Sequence, residues 1–156
     1  MAKAAKILDD LHCPFVINQN RFSIFDRTIE KNGILKSAIE KKKGMIIFSP
    51  LAQGLLSDRY LEGIPEDSRI KTDGRFLNEN SLSYEKLEKI RKLNEIAKRR
   101  GQTLAQMALS WVYSHEGITS VLIGASKAEQ ILENLKMTQN LDFTKEELDE
   151  IDSVAL

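Results

Sequence analysis

The sequence predicts an α/β fold built on a parallel sheet, and two observations carry that expectation. Three short apolar runs, residues 15–19, 45–49 and 121–124, have strand length and the composition of strands covered on both faces. Segments with helical apolar spacing separate them, and strands that alternate with helices imply βαβ crossovers. Taken in order, Ala4, Ile7, Leu8 and Leu11 mark an opening helix, stopped at His12 and Cys13 by Pro14, which disfavours a helical residue before it. Residues 15–19 follow as the first strand. Asn32 and Gly33 then lead into a helix through Ile34, Leu35, Ala38 and Ile39, with Lys41, Lys42 and Lys43 at its negative end and Gly44 as its expected C-cap.

The second strand, 45–49, feeds a loop at 50–54. Residues 55–83 read as one long irregular loop, a length that inside a domain usually signals function. A long amphipathic helix runs through Leu87, Ile90, Leu93 and Ala97 until Gly101. Thr103 with Gln106 forms a capping box for the next helix, through Met107, Leu109, Trp111 and Val112. After the third strand, Ser126 with Glu129 is expected to cap another helix, and Thr144 with Glu147 the last one, through Leu148 and Ile151.

A chain of 156 residues, 42% hydrophobic, has the size and apolar content of a single domain over residues 1–156. Basic and acidic residues balance at 23 each, so no global field draws the chain to nucleic acid or to an anionic membrane. No run approaches the roughly 18 apolar residues of a membrane span, and the N-terminus lacks signal-peptide order. Cys13 is the single cysteine and has no disulfide or metal companion, which suits a reducing compartment; a cytoplasmic protein is expected. Cys13, His12 and His115 are read as structural or solvated.

Ligands of parallel α/β folds gather at the carboxyl ends of the strands. Those ends are Gln19, then Phe48, Ser49, Pro50 and Leu51, then Gly124 and Ser126. One amide, one aromatic ring and two hydroxyls can hold a flat heteroaromatic ring and a phosphate. The stretch 119–134 is the most specific part: Gly124 allows close backbone approach, Ser126 opens a helix whose free amides favour an anion, and Lys127 adds a charge. From the residues alone, a plain capped helix explains the same pattern, and a core phenylalanine explains Phe48.

Three blocks in this order resemble the aldo-keto reductases. Residues 15–27, with Asn18, Gln19 and Asn20, resemble the sixth strand of those enzymes and its loop. Residues 48–60, from Phe48 through Gly54 to Tyr60, resemble the seventh, and residues 122–134 the eighth with its helix. The resemblance covers nearly the whole chain and is nearest to bacterial glyceraldehyde-3-phosphate reductase-like enzymes and potassium-channel beta subunits. It implies the C-terminal portion of a (β/α)8 barrel, about strands 6 to 8 with flanking helices, and NADP(H) as cofactor. Carried over, Gln19 binds the nicotinamide carboxamide and Phe48 stacks on its ring. Ser49, Pro50, Leu51 and Arg59 lie along the pyrophosphate, and Arg69 reaches over the cofactor. Gly124, Ser126 and Lys127 take the adenosine 2′-phosphate, while Gln130, Glu133 and Asn134 meet the adenine and its ribose. Lys127 replaces an arginine common in the family, which keeps the charge and loses the two-pronged contact.

The family's catalytic Asp, Tyr, Lys and His lie on its first four strands and have no counterpart in these residues. A whole barrel takes about 250 residues, so the chain resembles half of one. It is expected to be inactive alone and to need self-association or a complementary N-terminal half, with a small carbonyl substrate only in a completed barrel. A non-catalytic nucleotide-binding or interaction module, and a truncated product without activity, remain the alternatives.

Overall fold

The computed structural model describes residues 2–61 and 82–156. It contains a parallel three-stranded sheet in the order β1 (Ile17–Arg21), β2 (Gly44–Phe48), β3 (Ile118–Val121). Helix α1 (Ala2–Asp10) precedes β1, and α2 (Thr28–Lys31) and α3 (Ile34–Glu40) link β1 to β2. Two short 3-10 turns, Ala52–Gly54 and Asp58–Tyr60, follow β2. Helices α4 (Tyr84–Arg99) and α5 (Leu104–Tyr113) lead to β3, and α6 (Ala128–Leu135), a 3-10 turn at Lys136–Gln139 and α7 (Lys145–Ala155) complete the described chain. The alternation and the parallel pairing are those expected.

The strands are shifted from the expected runs. Pairing, not apolar content, sets their ends: Ile17 is in register with Gly44, Gln19 with Ile46 and Arg21 with Phe48, so β1 starts two residues later than its apolar run. On the other side Ile46 faces Ser120 and Ile47 faces Val121, with a register shift between Met45 and Ile46. The expected third strand at 121–124 therefore overlaps β3 only at Val121, although the amide of Leu122 still donates to the carbonyl of Ile47 at 2.8 Å. Gly44 is not the C-cap of α3. The helix closes through Lys42, at φ 53°, and Gly44 is the first residue of β2. A Cβ there would sit 2.8 Å from Thr119 Oγ1, which accepts from the Met45 amide, and 3.3 Å from Ile17 Cγ1, so side chains of both neighbouring strands crowd any larger residue.

Only one face of the sheet is covered: the apolar composition of the strands suggested two, whereas three strands of the half barrel implied by the resemblance should leave the inner face bare, as they do. Met45 and Ile47 are fully buried against the helices, in a core that includes Phe22, Ile24, Leu56, Leu93 and Trp111. Ile46 and Phe48 alternate to the other side, where burial weakens: Phe48 is 38% exposed, and Ile17, Gln19 and Arg21 of β1 are exposed. β1 and β3 each have a strand on one side only among the described residues. Apolar side chains lie open toward both ends of the sheet: Ile7, Leu11, Val16 and Ile17 in and after α1, and Leu122, Ile131, Leu132 and Leu135 after β3.

The helical layer forms by local rules. Ser83 caps α4 by accepting from the amide of Lys86, and Ile90, Leu93 and Ala97 bury one stripe of it. The helix ends in a Schellman motif. Gly101, at φ 69°, donates to the carbonyl of Lys98, and Gln102 donates to that of Ala97. The capping boxes of Thr103 with Gln106 and of Thr144 with Glu147 both form. Two arginines fasten this layer. Arg27 places its guanidinium 3.9 Å from the Trp111 ring and pairs with Glu30 and Asp152, joining the chain after β1 to α5 and α7. Arg100, whose side chain is 2% exposed, pairs with Glu147, donates to the carbonyls of Asn140 and Asp142 and lies 3.6 Å from the Phe143 ring.

Candidate functional site

The carboxyl ends of β1, β2 and β3 lie side by side, with strand axes about 4.8 Å apart. The register places Gln19, Ile46, Phe48 and Ser120 on one face of the sheet, because residues paired across parallel strands share a face and alternate residues along a strand return to it. That is the open face. On it Phe48 ends β2 as a ring with over a third of its area bare, diagonal to the exposed Gln19 on the neighbouring strand. Arg21, in register with Phe48, has its charge held by Asp26 at 2.6 Å. Burial alone would raise the Asp26 carboxyl, but the hydroxyl and amide of Thr28 and the guanidinium of Arg21 outweigh it and hold it below the ordinary carboxylate value.

The chain leaves β2 through a strained turn. Ser49, Ala52 and Gln53 have φ of 54°, 48° and 62°, a region that costs a non-glycine residue on the order of 1 kcal/mol each. The surroundings hold the turn in place. Pro50, Leu55, Leu56 and Tyr60 are buried, the amides of Ala52 and Gly54 donate to the carbonyls of Ser49 and Leu51, and Gln53 Nε2 donates to Ser49 Oγ at 3.0 Å. Ser49 and Leu51 remain half-exposed at the rim, and Arg59 sits on the following 3-10 turn with an exposed side chain. Asp58 on that turn accepts from the amide of Leu104, at the positive end of α5.

After β3, Gly124, Ser126 and Lys127 form an exposed segment leading into α6. A Cβ at Gly124 would meet nothing within 4 Å, so folding alone does not require glycine there and the space beside it is open. The expected box between Ser126 and Glu129 does not form. The N-cap is Lys127, one residue later, which moves the box-closing position from Glu129 to Gln130. Gln130 Oε1 accepts from the amide of Ser126 at 2.8 Å and from its hydroxyl at 3.2 Å. Glu133 pairs with Lys136, and Gln130 and Asn134 lie four apart on α6.

This helix is positioned from beneath. Gln106 Nε2 donates to the carbonyl of Glu133 at 2.9 Å, and Ser110 Oγ to that of Met137 at 3.1 Å, so two polar residues of the buried α5 grip the backbone at the end of α6. Sequence reading placed Gln19, Phe48, Ser49, Pro50, Leu51, Arg59, Gly124, Ser126, Lys127, Gln130, Glu133 and Asn134 here; all but Gln19 lie at a strand end or on the segments that follow, whereas Gln19 is the middle residue of β1, because pairing with β2 carries that strand on to Arg21. Arg69 and most of the 55–83 loop lie outside the described residues. Gln53 was missed: only the neighbouring Gly54 hints at a left-handed turn, and nothing local shows that the amide folds back on Ser49.

Among the described residues no group of three or more His, Cys, Asp or Glu side chains could hold a metal, and no helix is long and apolar enough to cross a membrane. The N-terminal hollow lined by Leu8, Asp9, His12, Cys13 and Pro14 is shallow and open.

Comparison with known proteins accounts for the geometry. The chain is 45% identical over 153 residues to the L-glyceraldehyde 3-phosphate reductase of Escherichia coli O157:H7, and 44% identical to that of Escherichia coli strain K12. Each match covers 96% of this chain and 44% of the relative, so the chain spans less than half the length of these proteins. Among solved structures, the glycerol dehydrogenase from Gluconobacter oxydans superposes with a TM-score of 0.76 at 23% identity, over 97% of this chain and 45% of that one. An aldo-keto reductase from Bacillus halodurans in its holo form gives a TM-score of 0.71 at 23% identity, over 98% and 46%. The three strands thus form part of a barrel. The family model for aldo/keto reductases matches residues 1–156, and this chain belongs to the aldo/keto reductase family.

Proposed function

We propose that this chain is the NADP(H)-binding portion of a reductase that converts small aldehydes or ketones to alcohols. The observation that carries the reading is Phe48, an aromatic ring left partly bare at the end of the central strand with Gln19 on the same face of the next strand. Stacking against Phe48 and a hydrogen bond from the Gln19 amide would orient a nicotinamide, which supplies a hydride to a carbonyl carbon. Ser49, Leu51 and Arg59 would lie along a pyrophosphate, and Lys127 at the N-terminus of α6 offers its charge to a 2′-phosphate. The open space at Gly124 suits such a ligand. The E. coli relatives are named for L-glyceraldehyde 3-phosphate, which makes a small polar aldehyde the first substrate to try.

Carbonyl reduction also needs a proton donor. The described strands carry no Asp, Tyr, Lys or His, Tyr60 is buried in the core, and Tyr84 and Tyr113 lie on helices. Catalysis therefore awaits the rest of the barrel, whose strands would cover both edges of the sheet and the apolar side chains near them. A soluble, cytoplasmic complex with a complementary N-terminal half fits those edges, as does self-association. Titrating the purified chain with NADPH, followed by cofactor fluorescence, tests the reading: saturation is expected, and no affinity at millimolar cofactor overturns it. Among the described residues no strand carries a tyrosine, which favours one second reading, a nucleotide-binding module without turnover. Methylglyoxal reduction by the pure chain would eliminate that reading.

A further inference from the structure

We infer that Gln53 is a positioning residue that turns the Ser49 hydroxyl into a directed donor for a phosphate oxygen; the inference rests on the cofactor site proposed above. A serine hydroxyl has one proton and two lone pairs. Gln53 Nε2, 3.0 Å away, donates into the oxygen and so occupies a lone pair. The hydroxyl proton must then point elsewhere, and among the described residues no acceptor takes it. Ser49 sits at the rim of the open face directly after Phe48, with its backbone held at φ 54°.

The two left-handed residues explain each other. Placing both Ser49 and Gln53 at positive φ folds the turn tightly enough for a side chain four residues on to reach back. Strain of this kind persists only where the surroundings fix it, and here the buried Pro50, Leu55 and Leu56 do so. The ligand class that matches a half-exposed hydroxyl with a free proton is an anionic oxygen, and the pyrophosphate of a dinucleotide is the one within the proposed groove.

Two substitutions of similar shape test the direction of the bond. Gln53→Met removes the donor and lets the hydroxyl rotate. Gln53→Glu offers only acceptors, draws the Ser49 proton to itself and adds a negative charge. Affinities for NADPH and for 2′-AMP, which lacks the pyrophosphate, are measured on the parent chain and both variants, with thermal midpoints alongside. The expected result is NADPH binding about fivefold weaker for Gln53→Met and about thirtyfold weaker for Gln53→Glu, with 2′-AMP affinity unchanged. Variants that bind NADPH as tightly as the parent overturn this inference alone, as does a parallel loss of 2′-AMP affinity, which would mark Gln53 as merely structural. A parent chain that binds no NADPH overturns the cofactor reading and this inference with it.

Discussion

The two faces of the sheet are built from the same three strands and end in opposite conditions. On one, Met45 and Ile47 disappear into the core with Phe22, Leu93 and Trp111, and two arginines fasten the helical layer above it. On the other, Gln19 and Phe48 stand open beside a turn whose backbone is strained. The covered face supplies stability, since each fully buried aliphatic side chain is worth about 1.5 to 3 kcal/mol. The open face contributes little to folding and, in the reading proposed, carries the binding. Substitutions on the two faces should therefore separate cleanly into effects on stability and effects on affinity.

The largest effect is expected at Trp111, which is 1% exposed and touches Phe22, His115 and Arg27. Trp111→Ala should lower unfolding stability by about 4 kcal/mol in urea denaturation; a loss under about 1 kcal/mol would break the comparison. Arg100→Met comes next. It removes the cation from the half-buried Glu147, which keeps only the Thr144 amide, and the donor from two backbone carbonyls, and about 2 kcal/mol should be lost by the same measurement.

Phe48→Ala should reverse the pattern, with NADPH affinity falling about tenfold while stability changes by less than about 1 kcal/mol. Equal losses in both would show that Phe48 belongs to the core after all. Lys127→Ala should weaken NADPH about fivefold and leave NADH unchanged, and Lys127→Arg should tighten NADPH, as competition titrations would reveal.

The smallest effect concerns pH. Burial alone would raise the Glu30 carboxyl, but hydrogen bonds from His115 and Arg27 and their charges outweigh it and keep it below its ordinary 4.5. A depressed carboxylate stabilises the fold above its unfolded value, and that contribution disappears as pH falls through the lower folded value. The urea midpoint should drop below about pH 4.5, with a shallower slope in Glu30→Gln.

The sequence made the covered side largely readable. Thr103 with Gln106, Thr144 with Glu147 and Gly101 are signals contained within a few residues, and each formed as expected. Strand limits depend on partners distant in the chain: apolar content drew β1 toward Phe15, whereas pairing with β2 carried it to Arg21. The Ser126 box failed for a related reason, because α6 starts one residue later and Gln130 takes the role assigned to Glu129. Most of the candidate site was legible only through resemblance to a family. Gln53 escaped because its position follows from several left-handed residues acting together.

The grip of α5 on α6 has a consequence for how such proteins diversify. Gln106 and Ser110 hold main-chain oxygens of Glu133 and Met137, not their side chains. Those oxygens are present whatever residues occupy positions 133 and 137. The outward side chains of α6 are thus free to drift over generations while the helix stays where it is. In the reading proposed, a lineage could exchange Lys127 or Asn134 and acquire a new nucleotide preference without relearning how to fold.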